Sequence, residues 1–315
     1  MDPTLVYNIQ SGTIWDWRVA VDLFAGGVGV GALLFSVALS RYGDARYRRL
    51  AQTAGVIAPF LVMLGLLFLF WKVGNKFNVY QMGINLAPTS LMWWGFLIQS
   101  ALVAFGLLYA WMWLKPEANP GRSGVGLVAA FFAILVGIYH GMLLAVLTSH
   151  PVWASGSMVL LAVLAFASTG VAGGVLAHQL RMMFAGRADE EDELDVYVRG
   201  LKPVAGFLAA VLVLMLLNFF AWWVDLAFGS LQSRQALDAA MGVHGTLFIL
   251  VGLGIGVVLP LALVALWYSR VRAGSPGAAL SLMGVASLLV LVGGFVIRYS
   301  VVLGGQVALP IATLS

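Results

Sequence analysis

The chain has 315 residues, of which 62% are hydrophobic and only 10% are charged. A soluble domain of this length needs more charge on its surface, so the composition excludes a water-soluble globular protein and indicates a membrane protein. The formal net charge is +4 and there is no cysteine, which excludes disulfides, thiolate-bound iron–sulfur clusters and a cysteine nucleophile in this chain.

Eight apolar stretches are each long enough to cross a bilayer as an α-helix, which takes about 20 residues. They are residues 17–40, 51–71, 91–114, 124–147, 155–178, 203–225, 241–268 and 278–302. The stretches are continuously apolar rather than alternating, which argues against the strands of an outer-membrane barrel. The first 14 residues lack a basic region and a small-residue cleavage site, so no signal peptide is predicted. We predict an all-α, multi-pass protein of the cytoplasmic (inner) membrane.

Lysine and arginine are divided unevenly between the two sides of these spans. Twelve lie in the loops after the first, third, fifth and seventh spans, and four lie on the opposite side. Because positively charged loops remain in the cytoplasm, both termini are predicted to be extracytoplasmic. Tryptophan is concentrated on that outer side beyond what an aromatic belt requires, which indicates a docking surface or a ligand mouth there.

The chain is predicted to fold as two four-helix bundles that meet at the outer loop near His150 and Pro151. Residues 1–149 would form the first bundle and residues 150–315 the second, which includes an acidic cytoplasmic loop at 181–202. The run ADEEDELD in that loop is most simply a solvated linker, with a partner contact as the alternative. No internal sequence repeat supports the division.

Ionisable side chains within a span are costly and indicate function. At a helical rise of about 1.5 Å per residue, Asp22, Tyr139, His140 and Arg298 all fall in the outer part of the membrane. The inner half offers fewer polar residues, and Gln99 is assigned to it. Arg298 has structural alternatives, since it can extend to the outer headgroups or pair with Asp225.

A quinone suits this one-sided polar layer. Its two carbonyls need hydrogen-bond donors and a route for protons, which Tyr139, His140 and Asp22 could supply. A pair of haems would need histidines facing each other at matching depths, and the four histidines are not placed in that way. The rival function is a proton- or ion-coupled transporter, for which Pro260 could mark a helix kink. Transporters carry their ionisable residues near the midplane, so this alternative ranks lower.

Four motifs resemble those of the NrfD/PsrC family, the membrane subunits of polysulfide reductase and related respiratory molybdoenzymes. The motifs are WDWRVAVDLFAGGVGVG at the first span, APTSLMWWG before the third, YHGMLLA with HPVW in and after the fourth, and GGFVIRYSVVLGGQ in the eighth. They are spread over essentially the whole chain. The resemblance implies a quinone- or quinol-reactive subunit of a multi-subunit oxidoreductase that is not active alone.

The resemblance also implies a ligand and partners. Menaquinone or ubiquinone would bind near the outer face, where Tyr139 matches the tyrosine that bonds one quinone carbonyl and Asp22 matches the position at the other end. His140, Trp17 and Arg298 complete the predicted site, and no haem, iron–sulfur cluster or metal is expected in this chain. The partners would be an extracytoplasmic ferredoxin-like iron–sulfur subunit and a molybdopterin catalytic subunit, besides the lipid bilayer, and no nucleic acid. Lys72 departs from the family pattern, which usually has an acidic residue near this turn.

Overall fold

The structure is a computed structural model that describes residues 15–74, 76–115, 119–184 and 191–306. The predicted absence of a signal peptide concerns the first 14 residues and lies outside this part of the chain. The beginning of the acidic run also lies outside it.

The described residues are almost entirely helical and contain no β-strand. The α-helices in chain order are α1 Trp17–Tyr42, α2 Arg48–Lys72, α3 Gln81–Ile84, α4 Leu91–Leu114, α5 Arg122–Ala145, α6 Gly156–Phe184, α7 Glu191–Gly200, α8 Lys202–Phe228, α9 Leu231–Thr246, α10 Leu259–Arg272 and α11 Pro276–Gly304. Short 3₁₀ turns occupy Ala45–Tyr47 and Lys76–Asn78, and Leu247–Val258 is π-helical. Eight helical segments are long and apolar enough to cross a membrane. The prediction of an all-α protein with eight spans is confirmed.

The acidic connection differs from the prediction. Residues 181–184 continue α6, and α7 follows at Glu191–Gly200, so the connection predicted over 181–202 is largely helical in the residues that the structure describes. Its cytoplasmic location stays a prediction. Buried Leu194 and Val198 give α7 an apolar face, and Arg199 pairs with Asp195 one turn earlier at 2.8 Å.

The seventh span is longer than predicted. It runs over 42 residues from Leu231 to Arg272 as α9, the π-helical stretch and α10. Half of its first ten residues are polar or charged, so the apolar character of the sequence alone places the start of the span later. Pro260 lies at the start of α10, directly after the π-helical stretch. This placement suits a residue that has no backbone N–H to donate to the helix.

The first helix lies at the centre of the protein. α1 packs against α2, α5, α6 and α11. Gly31 meets the backbone of α6 at Gly170, and a β-carbon on Gly29 would lie 2.6 Å from the carbonyl oxygen of Ala58 in α2. Small residues allow helices in a membrane to approach this closely. Because α1 is covered by protein, Asp22 is held inside the bundle rather than facing lipid.

The two ends of the described chain are joined by side-chain hydrogen bonds. The Trp15 backbone N–H donates to the side-chain oxygen of Gln306 at 2.8 Å, and the Gln306 amide donates back to the Trp15 carbonyl. The start of α1 and the end of α11 therefore lie at the same face of the bundle. The division of the chain into two bundles near residue 150 stays a prediction, since α1 contacts helices from both halves.

Candidate functional site

Asp22 is buried between α1 and α2 with only 2% of its surface exposed. A β-carbon on Gly65 of α2 would lie 2.9 Å from its carboxylate oxygen, so the absence of a side chain there makes room for the acid. The carboxylate forms no hydrogen bond or ion pair with any residue that the structure describes. The neighbouring cations Arg18 and Lys72 bond Asp16 instead.

Tyr139 and His140 follow one another in the last two turns of α5, and both are buried. The Tyr139 ring rests directly on the backbone of Gly95 in α4, where a β-carbon would overlap it. Within the described ranges the Tyr139 hydroxyl has no hydrogen-bond partner. His140 Nε2 lies 3.1 Å from the side-chain nitrogen of Gln99, whereas its Nδ1 is buried without a partner among the described residues.

Gly26 brings Asp22 and His140 to one place. A β-carbon on Gly26 would lie 3.3 Å from His140 Cε1 and 3.9 Å from the Asp22 carboxylate. The rings of Tyr139 and His140 are 5.7 Å apart between centroids. The structure therefore gathers Asp22, Gln99, Tyr139 and His140 where α1, α2, α4 and α5 meet, and we call these four residues the outer polar cluster.

The Asp22 carboxylate lies on the side of α1 that faces α2. Arg298 lies on the other side of α1. Its Nη1 donates to the Gly294 carbonyl at 3.0 Å, and its guanidinium carbon lies 5.6 and 5.3 Å from the ring centres of Phe24 and Phe166. Nη2 is buried without a hydrogen-bond partner in the described part of the chain.

Both structural alternatives for Arg298 are wrong. The side chain is only 7% exposed, so it does not extend to the headgroups. Asp225 is exposed and makes no ion pair with it, and no other acid within the described ranges lies within ion-pair distance of Arg298. Arg298 is therefore a buried cation without a counter-ion among these residues, which is costly in a membrane.

A cavity of about 40 Å³ lies between His140 and Arg298 and is bounded by the ring of Phe166. This volume can hold water molecules. It is far below the several hundred Å³ of a typical organic-ligand pocket. A much larger cavity, of about 740 Å³, lies nearer the other end of α1 and does not contact Asp22 or Tyr139.

Trp17 stands apart from the outer polar cluster. It is 44% exposed and lies edge-on to Phe68 and Trp71 of α2, with 5.9 Å between ring centroids in each case. No hydrogen bond or ring contact joins it to Tyr139 or His140 in the described part of the chain. Its part in ligand binding stays a prediction.

Two residues of this region were missed by sequence reasoning. Gln99 was assigned to the inner half of the membrane, but it bonds His140, so that assignment is wrong. α4 begins at Leu91, so Gln99 is only about 12 Å along the helix from its outer end. Phe166, which lies 5.6 Å from His140 between ring centroids, gave no signal because phenylalanine is ordinary in an apolar span.

Within the described residues, no three His, Asp or Glu side chains lie close enough together to hold a metal ion. The polar atoms of Asp22 and His140 can form hydrogen bonds and take part in proton transfer. Carboxylate, phenol and imidazole groups are the side chains that most often serve as proton donors and acceptors.

Comparison with known proteins places the chain in a family. It matches the family model described as "Polysulphide reductase, NrfD" over residues 6–310. It is 26% identical to Protein NrfD of Escherichia coli (strain K12), over 97% of this chain and 99% of the relative. It is 24% identical to the C subunit of polysulfide reductase from Wolinella succinogenes, over 93% of this chain and 94% of the relative. A homologue of Protein NrfD from Haemophilus influenzae is 27% identical, over 96% of this chain and 98% of the relative. With its eight membrane-spanning helices and a match over nearly its whole length, the chain belongs to the NrfD family of membrane subunits of respiratory oxidoreductases.

Proposed function

We propose that this chain is the quinone- or quinol-reactive subunit of a respiratory complex, and that Asp22, Tyr139 and His140 bind the quinone ring. The proposal adds a ligand, a reaction and a set of residues to the family membership. Menaquinone and ubiquinone both meet its chemical requirements.

One observation carries the proposal. Three polar groups without protein partners among the described residues converge in the outer polar cluster: the Asp22 carboxylate, the Tyr139 hydroxyl and His140 Nδ1. A buried polar group without a hydrogen bond costs several kcal/mol in hydrocarbon. A ligand that carries hydrogen-bonding oxygens on an apolar ring would offset this cost, which a purely structural role leaves unexplained.

The residues fit such a ligand. A bound quinone supplies two-electron, two-proton redox chemistry. The Tyr139 hydroxyl donates a hydrogen bond, the Asp22 carboxylate holds or releases a proton, and His140 relays a proton through Nδ1. Gln99 fixes the His140 ring by bonding Nε2, which leaves Nδ1 directed to the ligand.

Space at the site requires one movement. The 40 Å³ cavity beside His140 is too small for a quinone ring. Tyr139 lies on the bare backbone of Gly95 rather than among interlocking side chains, so it is the group we expect to move when the ring enters.

The partners in this proposal receive or supply the electrons. An iron–sulfur subunit and a molybdopterin catalytic subunit on the extracytoplasmic side would complete the electron path. The similarity to the C subunit of polysulfide reductase supports a place in such a complex. The proposed location is the cytoplasmic (inner) membrane.

Replacement of Tyr139 by phenylalanine tests the site. Tyr139→Phe removes one hydrogen-bond donor and keeps the ring, so quinol-analogue turnover by the intact complex should fall roughly tenfold, the equivalent of one lost hydrogen bond. Turnover should be measured with complex purified from membranes, together with its thermal stability.

Tyr109→Phe is the matched control. Tyr109 is equally buried in α4, but its hydroxyl lies 3.1 Å from the Ser36 hydroxyl, away from the outer polar cluster. This variant should lose some stability and keep full turnover. Normal turnover in Tyr139→Phe would contradict the site. Substrate-dependent solute uptake by the protein in liposomes would instead favour the transporter.

A further inference from the structure

The cavity of about 740 Å³ is a groove between α1, α5, α6 and α8 that opens toward the bilayer. Gly31 of α1 lies on its floor, where the helix crosses α6. Its walls carry exposed apolar side chains that include Ile134 of α5, Val163 of α6 and Phe207 of α8. Apart from one end, the groove is lined by apolar residues, so its occupant along most of its length is a hydrocarbon.

The length of the groove matches one leaflet of a membrane. It follows α1 from Val30, near the middle of the helix, to Tyr42 at its end. Twelve residues of helix rise about 18 Å, whereas half of the hydrocarbon core of a bilayer is about 15 Å. An acyl chain of a lipid in that leaflet therefore fits the groove from the membrane surface to the midplane.

The mouth of the groove lies at an arginine-rich turn, of which Asp44 and Arg46 line the groove. Residues 41–49 contain four arginines and one acid, Asp44. Arg46 lines the groove and pairs with Asp44 at 2.6 Å, but their side chains are 48% and 66% exposed. A pair this exposed to water is weak, so Arg46 can turn to another anion at little cost.

A second cavity adjoins the same arginine. It has a volume of about 210 Å³ and is lined by Arg46, His178 and Tyr197 among others. The Tyr197 hydroxyl is buried without a hydrogen-bond partner in the described structure. Arg46 thus lies between the apolar groove and a cavity that also has polar side chains, His178 and Tyr197. The phosphate of a phospholipid lies in the same way between its acyl chains and its headgroup.

We propose that the groove binds one anionic glycerophospholipid of the leaflet at the arginine-rich end of the bundle. Its phosphate lies at Arg46, one acyl chain follows α1 toward Phe166, and the headgroup lies toward the cavity at Tyr197. A quinone is the less suitable occupant, because its uncharged ring gains little from the arginines and the groove does not reach Asp22 or Tyr139. This site is independent of the proposed quinone chemistry.

Native mass spectrometry of the protein released from lipid nanodiscs tests the proposal. The wild type should retain one phospholipid per chain and should retain phosphatidylglycerol at least tenfold better than phosphatidylcholine after exchange. Arg46→Glu should abolish this preference, whereas Arg46→Lys should keep most of it. Ala38→Trp should displace both lipids, because Ala38 lines the groove and a tryptophan there would fill it.

Two variants serve as controls. Arg272→Glu makes the same charge change at the end of α10, and Leu127→Trp adds an exposed ring on α5; neither residue lines the groove. Both should bind lipid like the wild type. Thermal unfolding of every variant separates lost binding from lost folding.

Three results would overturn the proposal. The first is equal retention of both phospholipids by the wild type. The second is lipid retention that neither Arg46→Glu nor Ala38→Trp changes. The third is that the wild type retains an isoprenoid quinone or a second copy of the chain in place of a phospholipid, and that Ala38→Trp displaces this occupant.

Discussion

Two buried histidines, at opposite ends of the bundle, differ in the hydrogen bonding around their rings. His178 Nδ1 lies 3.3 Å from the Thr53 hydroxyl, which also accepts a hydrogen bond from Arg181 and donates one to the Arg49 carbonyl. His140 has one partner, Gln99, and its other ring nitrogen is unpaired within the described residues. The two rings are almost equally buried, with 4% and 3% of their surfaces exposed.

The difference separates structure from function. The hydrogen bond between His178 and Thr53 joins α6 to α2, so stabilisation of the fold is a sufficient explanation for this residue. His140, Asp22 and Tyr139 cost stability where they stand, because their polar atoms lie in apolar surroundings without full hydrogen bonding. Polar groups such as these, which are buried without full hydrogen bonding, are the ones whose presence a bound ligand would explain.

The strongest test of this comparison is Asp22→Asn. Asparagine keeps the size of the side chain but cannot hold and release a proton, so quinol turnover should fall about a hundredfold. Since the Asp22 carboxylate has no partner among the described residues, the midpoint of thermal unfolding should stay the same or rise. A large loss of stability would mean that Asp22 is a structural residue like His178, and the comparison would fail.

His178→Phe should have the opposite effects. It keeps a ring of similar shape and removes the hydrogen bond to Thr53, so the free energy of unfolding should fall by about 1 kcal/mol. Quinol turnover per assembled complex should not change. Unfolding in mixed detergent measures the first effect. Reduced turnover with normal stability would mean that His178 takes part in the reaction. The distinction between a structural His178 and a functional His140 would then be wrong.

The smallest effect is expected at Asp16, a paired acid just before α1. Partial burial raises the pKa of Asp16, but hydrogen bonds from Arg18 and Lys72 outweigh it and lower the pKa from 3.8 to about 2. The ion pairs therefore stabilise the folded state fully above about pH 4, and this contribution is lost as the pH falls through 2.

Asp16→Asn checks this third case. The contribution of such pairs is below about 1 kcal/mol, so the variant should be slightly less stable at pH 6 and equal to the wild type near pH 2. Unfolding curves measured between pH 6 and pH 2 should show the stabilities of the variant and the wild type converging as the pH falls. Parallel curves at every pH would mean that Asp16 gains nothing from its pairing.

The sequence predicted the helices well where lipid alone determines them. The third span was predicted at 91–114, and α4 occupies Leu91–Leu114, because a continuous apolar run has no other stable form in a membrane. Prediction failed at α7 and at the start of α9, which lie next to spans but are polar enough to be assigned to loops. Helices of this kind depend on packing against the rest of the protein.

The candidate site was partly predictable for a related reason. Asp22, Tyr139 and His140 are conspicuous because polar groups are rare in apolar helices, and the structure does bring them together. Their depth along a helix can be counted from the sequence, but the direction in which each side chain points cannot. The interpretation of Arg298 as a partner of Asp225 was wrong on that account, since the two lie at similar depth but Arg298 faces Phe24 and Phe166 inside the bundle.

The glycine contact between α1 and α6 has a consequence for how the protein is made. α1 is synthesised before α6, yet the partners of Gly27 and Gly31 are Phe166 and Gly170, about 140 residues later in the chain. Arg298 and the Gln306 hydrogen bonds to Trp15 come later still in the chain. A chain whose synthesis stops before α6 therefore leaves Gly27 and Gly31 of α1 without the helix that covers them in the folded protein.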